Sequence, residues 1–176
     1  MEILVSTHND SKKIKDLINK MYGFEYEIRS YEEIEKSIYD KNETYVVARN
    51  EGEIIGFAGA KLNSDEYEKY TDEKCVIEYI YVLPSKRNLL VAYELMKKLI
   101  DELLKLGKTS AIMQVQTHNK QRFFHYALSN KNIIHCQKFG NTNFDDQILK
   151  IDNLERLSKL NFNKFLLMVK EQIENK

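Results

Sequence analysis

The sequence predicts a single-domain α/β fold, in which a mixed, mostly antiparallel twisted sheet is flanked by helices in the order β-α-α-β-β-β-α-β-α-β-β, followed by a C-terminal helix. Three observations carry that prediction. Val76-Ile77-Glu78-Tyr79-Ile80-Tyr81-Val82-Leu83 is a nearly unbroken run of β-branched and aromatic residues with one charge, the pattern of a central strand buried on both faces. It runs through Pro84 and a short basic turn into a helix whose Leu89, Tyr93, Met96, Ile100 and Leu103 recur at spacings of three and four. Shorter strand patterns lie on both sides of this unit, separated by turn residues.

In chain order, residues 3–5 form a short strand, and Asp10 or Ser11 caps a helix carrying Ile14, Leu17, Ile18 and Met21 on one face, closed by Gly23. Residues 24–27 make a loop of two aromatics and two acids that connects to the next helix. Ser30 and Glu33 form a capping box for a second short helix with Ile34 and Ile38. Residues 45–48 and 54–62 pair as a hairpin around Asn50-Glu51-Gly52, a turn of residues that tolerate positive φ. Gly56 and Gly59 imply a bend or a close backbone contact in its second strand. Residues 64–74 are highly charged with acid in excess, either a solvated interruption or a region that attracts a cationic amine.

Pro84 cannot donate to a ladder, so pairing stops there, and Gly107 ends the long helix as a C′ residue. The junction sets a helix N-terminus, with its free amides, beside Lys86 and Arg87, a place for phosphate. A strand over residues 111–115, a helix from Asn119 through Leu128, and strands over 133–139 and 144–151 around Gly140-Asn141-Thr142-Asn143 finish the sheet. The domain therefore covers residues 1–151. Residues 152–176 form an extension whose Leu154, Leu157, Phe165, Met168 and Ile173 fit an amphipathic helix, packing on the domain itself or on a partner in a homodimer.

Lys plus Arg equals Asp plus Glu at 27 each, so no global field draws nucleic acid or membrane, and the expected partner is small. No apolar stretch approaches the ~18 residues of a membrane span. Cys75 and Cys136 lie in predicted strands without CxxC spacing, which points to reduced core thiols and a cytoplasmic protein. His8, His118, His125 and His135 are scattered, so no metal is expected. Neither GxxxxGK[ST] nor GxGxxG occurs, and Ser6 and Ser110 lack a nucleophile-elbow context.

The strand, turn and helix resemble the GNAT superfamily of N-acetyltransferases, whose motif is Arg or Gln, two residues, Gly, one residue, then Gly or Ala. Arg87-Asn88-Leu89-Leu90-Val91-Ala92 keeps the Arg and the Ala but has Leu90 where Gly is usual. A second segment, Asn119-Lys120-Gln121-Arg122-Phe123-Phe124-His125-Tyr126, resembles the family's Asn and Tyr pattern, with Arg122 in place of an Ala. The element order is also that of the family. The resemblance implies acetyl-CoA as the acyl donor, bound by Lys86, Arg87, Asn88, Leu89, Leu90, Val91, Ala92 and Tyr93 together with Asn119 and Phe123. It further assigns the carbonyl and pantetheine to the backbone of Ile80, Tyr81 and Val82, on a central strand that a bulge splays from its neighbour.

Amide formation from a thioester needs a deprotonated amine, a donor to the carbonyl and an acid for the leaving thiolate. Strand alternation puts Glu78 on the face of Ile80 and Val82, where a carboxylate among tyrosines and aliphatics has a raised pKa and takes the amine's proton. The other reading of Glu78 is an ion pair with a lysine. Tyr126 is the candidate acid, its other reading a core tyrosine. The expected activity is acetyl transfer from acetyl-CoA to a small-molecule or protein primary amine, the alternative being a non-catalytic CoA-binding or dimerisation module of the same fold.

Overall fold

The computed structural model describes residues 1–22, 29–69, 71–116 and 146–174. Among these residues six strands form one sheet in chain order: β1 (Glu2–Val5), β2 (Glu43–Asn50), β3 (Glu53–Lys61), β4 (Val76–Val82), β5 (Ala111–Gln116) and β6 (Asp146–Ile151). Every neighbouring pair is antiparallel except β4 and β5, which are parallel and joined through the long helix α3 (Leu89–Lys105). Helices α1 (Ser11–Tyr22) and α2 (Tyr31–Tyr39) precede β2, and α4 (Leu154–Ser158) and α5 (Phe162–Glu174) follow β6. The loop over residues 24–27, Gly23, the helix expected from Asn119, the strand over 133–139, the turn at 140–143 and Cys136 lie outside the described residues.

Local chemistry explains most boundaries. Ser30 Oγ accepts from the Glu33 amide at 3.2 Å while Glu33 returns a carboxylate oxygen to the Ser30 amide at 2.8 Å, the expected capping box. The first helix starts differently from the sequence expectation. Thr7, not Asp10 or Ser11, is the N-cap, and it opens a 3-10 turn at His8–Asp10 that leads into α1. The Asp10 carboxylate accepts from the Thr7 amide at 2.9 Å and pairs with Arg49 on β2, tying the helix start to the sheet. In the β2–β3 hairpin Glu51 and Gly52 have φ of 53° and 83°, the left-handed pair that matches strand twist in a two-residue turn. Gly107 closes α3 as expected, its amide bonded to Leu104 O and that of Lys108 to Leu103 O.

The two faces of the sheet carry separate cores. On one, Val46, Ala48, Ala58 and Ala60 leave room for α3, which presses Leu95, Met96, Leu99, Ile100 and Leu103 onto Ile77 and Val82. On the other, Tyr45, Phe57, Tyr79 and Tyr81 pack under Ile14, Leu17 and Ile18 of α1 and Ile34 of α2. The C-terminal helices lie on α3 of the same chain. The Tyr93 ring is 5.2 Å from Phe162 and 5.5 Å from Phe165, its hydroxyl donates to Leu160 O, and Lys97 Nζ donates to Ser158 O at 2.7 Å. Cys75 lies just before β4 rather than in it, and burial pushes its thiol up to about 12. No helix among the described residues is long and apolar enough to cross a membrane.

Candidate active site

β4 changes partners along its length. Val76 and Ile77 pair with Ile112 and Met113 of β5, and there the ladder between the two strands stops. From Tyr79 to Val82 the strand pairs, among the described residues, with β3 alone. The Leu83 amide donates to Ile55 O of the β3 side, so by alternation Tyr81 and Tyr79 also turn their backbones to β3, while Ile80 and Val82 turn theirs to the open edge. Of the three residues expected to offer main-chain groups, two therefore do so at the gap. The Val82 carbonyl already accepts from Arg87 Nε at 3.0 Å.

A bulge sits at the base of this gap. Gly59 opposes Tyr79 but Ala60 opposes Ile77, so Glu78 is the extra residue on β4. The period-two expectation for Glu78 fails for that reason: Ile77, Ile80 and Val82 share the α3 face, whereas Tyr79 and Tyr81 are on the other. The Glu78 carboxylate is among Lys61, Glu66, Tyr67 and Tyr79, not beside Ile80 and Val82. Gly59 makes the crowded arrangement possible, since a Cβ there would lie 2.4 Å from Tyr45 Cδ1 and push the Tyr45 ring off its stack with Tyr79, centroids 6.2 Å apart.

Glu78 Oε1 accepts from Lys61 Nζ at 3.1 Å, and Oε2 is buried with no hydrogen-bond partner among the described residues. Burial raises the carboxyl above the usual carboxylate range, with Lys61 and the Tyr79 hydroxyl pulling the other way. Burial likewise raises Tyr79, so its hydroxyl remains a proton donor through the neutral range. Lys61 is the lysine of the ion pair that was the other reading of Glu78, a partner that sequence reasoning did not name by number. Its pairing opposite Val76 depends on the bulge, and only the alternation of Phe57, Gly59 and Lys61 hinted that it shares the ring face.

At the other end of the gap Asn88 caps α3, its Oδ1 accepting from the Val91 amide at 2.8 Å. The Leu89 and Leu90 amides follow the cap in the first turn, where a helix has no internal acceptor for them, beside the exposed Lys86 and Arg87. Arg87 is steadied over the Tyr81 ring, with Cζ 5.6 Å from its centroid. Leu90 is 41% exposed, so its side chain faces solvent and not the core. Val91 is buried with its amide spent on the cap, Ala92 packs on the core, and Tyr93 is sealed under the C-terminal helices. Asn119, Phe123 and Tyr126 lie outside the described residues. Among the described residues no group of three or more His, Cys, Asp or Glu is arranged to hold a metal ion.

Solved structures share this architecture. An aminoglycoside 6'-acetyltransferase type Ii superposes with a TM-score of 0.64 at 18% identity, covering 88% of this chain and 97% of its own. YncA, a putative acetyltransferase from Salmonella typhimurium with its cofactor acetyl-CoA, gives 0.63 at 16%, covering 88% and 94%. The PaiA N-acetyltransferase from Thermoplasma acidophilum in complex with coenzyme A gives 0.57 at 17%, covering 86% and 99%. No curated protein matches the chain by sequence. The model of the acetyltransferase (GNAT) family matches residues 11–126, from the start of α1 past the end of β5 and across the whole β4 gap. With more than half of its length matched, the chain belongs to the acetyltransferase (GNAT) family.

Proposed function

We propose that the protein transfers an acetyl group from acetyl-CoA to a primary amine, on a small molecule or a protein, by direct attack without a covalent enzyme intermediate. The observation that carries this reading is the edge of β4, unpaired among the described residues from Ile80 to Val82, between a half-buried carboxylate at one end and a basic helix start at the other. The donor set fits a long molecule with an anionic end. Leu89 and Leu90 amides with Lys86 and Arg87 would hold the pyrophosphate, and the backbone groups of Ile80 and Val82 the pantetheine arm and acyl carbonyl. When bound, acetyl-CoA supplies an acyl carbon already activated as a thioester. Fold relatives described with coenzyme A or acetyl-CoA support that choice of donor.

In this reading Glu78 accepts the proton of the incoming amine through Oε2, and burial suits it, because a carboxyl with a raised pKa is a better proton acceptor near neutral pH. Tyr126 would return a proton to the departing thiolate. The exposed Leu90 favours a second reading, a CoA-binding module without turnover, since its side chain stands at the mouth where the family motif has Gly.

Screening amines for thiol release separates the two readings. With an acceptor in hand, Glu78→Gln should keep CoA binding and lower turnover by about 10²–10⁴ near neutral pH. The loss should shrink as pH climbs toward the amine's own pKa, because more acceptor then arrives deprotonated. Tyr126→Phe should cost less and show no such rescue. Wild-type turnover in both variants would remove these roles.

A further inference from the structure

Resting on the reading of Glu78 as proton acceptor, we propose that Lys61 is its positioning residue: the ammonium clamps Oε1, stabilises the charged form, and leaves Oε2 as the oxygen that takes the proton. Lys61 is the last residue of β3 and pairs in register with Val76. The bulge at Glu78 brings the two side chains onto one face, with Nζ 3.1 Å from Oε1. A second carboxylate, Glu66 Oε2, lies 3.2 Å from the same Nζ.

These two contacts differ in weight. The side chains of Lys61 and Glu78 are 30% and 24% exposed, while that of Glu66 is 46% exposed. A solvent-facing pair contributes little, but a carboxylate withdrawn from water and deprived of its cation protonates instead. The groups around Glu78 are Tyr79 on β4, Glu66 and Tyr67 on the segment before β4, and Lys61 on β3; Tyr22 of α1 reaches the same pocket through Tyr79, ring centroids 6.5 Å apart. Lys61 is the cation bonded to Glu78; Glu66 opposes ionisation, and Tyr79 offers only a neutral hydroxyl. Burial lowers the lysine, yet Glu78 and Glu66 outweigh it and hold Lys61 more firmly charged. It therefore serves as a fixed cation, not as a competing acceptor amine.

The test reads the protonation of Glu78 directly, with 13C-carboxyl-labelled glutamate and Glu78→Gln to assign its resonance. In Lys61→Met the Glu78 titration midpoint should rise by about one pH unit or more, the effect of losing an opposite charge at this range. Lys61→Arg should return most of that shift, Glu66→Gln should move the midpoint slightly downward, and Lys61→Gln should repeat the Met result with a polar head that keeps the strand end solvated. An unmoved midpoint in both Lys61→Met and Lys61→Gln overturns the proposal. Activity supplies the second arm: the acidic limb of the kcat/KM profile should follow the titration midpoint upward. A midpoint that moves while Glu78→Gln turns over like wild type would leave Lys61 as the clamp but remove Glu78 as the base, so the two ideas fail separately.

Discussion

The face of the sheet under α3 buries many more large side chains than the face under α1 and α2, and the two have opposite chemistry. Under α3 the sheet offers alanines and valines to a helix of leucines, and the ionisable groups among its described core residues are the hydroxyl that Tyr93 spends on Leu160 and the Cys75 thiol, which burial keeps protonated. Under α1 and α2 the rings of Tyr45, Phe57, Tyr79 and Tyr81 carry hydroxyls at their rims, and those rims meet Arg29, Glu43 and, farther along, Glu78. The aliphatic face holds the molecule together without regard to pH. The tyrosine face needs its charges paired, and it supplies the carboxylate with a raised pKa that the proposed reaction uses.

That contrast is broken most severely at Arg29. Its Nη1 donates to both Glu43 oxygens at 2.9 and 2.8 Å and to Tyr45 Oη at 3.1 Å, and Nη2 donates to Ser37 Oγ at 3.2 Å. Burial lowers the guanidinium's pKa, but the bond to Glu43 together with the charges of Tyr45, Glu43 and Tyr79 more than reverses that, so Arg29 stays charged. Arg29→Met should cost about 3–5 kcal/mol, because it strands the buried Glu43 carboxylate. Urea unfolding measures it, and a loss below about 1 kcal/mol would show that the cluster is ornamental to stability. Double replacement of Arg29 and Glu43 by apolar residues of similar volume should recover much of the loss.

On the aliphatic face the corresponding change is Leu99→Ala, at a fully buried position in the middle of α3. It should cost about 2–5 kcal/mol by lost transfer and the cavity left behind. It should cost the same at pH 6 and pH 8, which paired urea titrations check. A cost that changes with pH would mean the two faces are coupled more closely than their separate clusters suggest.

The same contrast explains what could be read from the letters alone. The α3 face was legible at Tyr93, Met96, Ile100 and Leu103, which follow helical spacing up to Gly107, while Val91, Leu95 and Leu99, equally buried, widen the stripe beyond the one that was read. The capping box at Ser30 and the turn at Glu51 and Gly52 were legible for the same reason, being decided by neighbours in sequence. The tyrosine face was legible only in part. Whether Glu78 follows Ile80 or Tyr79 depends on one unpaired residue in a ladder with β3, and sequence alternation cannot register a bulge. Lys61 went unnamed because its proximity to Glu78 is created by that bulge. Thr7 was missed as a cap because the 3-10 turn at His8–Asp10 delays the first helix by one turn. Leu90 could be oriented only by structure, since the first turn of a helix has no established apolar stripe to extrapolate.

The smallest effect, and the one that sharpens the comparison within a single helix, is at Leu90. Leu90 and Leu99 are the same residue on α3, one exposed at the mouth of the β4 gap and the other buried at its middle. Leu90→Gly removes little packing, so its stability cost should be set by helix propensity, at most about 1 kcal/mol and less so close to the N-cap. What it should change is ligand access. Removing the side chain from the turn that bears the Leu89 and Leu90 amides lets a phosphate approach the backbone, and CoA affinity should rise about tenfold, roughly 1.4 kcal/mol. Calorimetric titration of CoA into both proteins measures this. A rise would identify Leu90 as an obstruction that the wild-type protein tolerates at its donor site. An unchanged affinity would mean that Lys86 and Arg87, with the open edge of β4, hold the donor without close approach to that turn, and Leu90 would then be a solvent-facing residue of no consequence for binding.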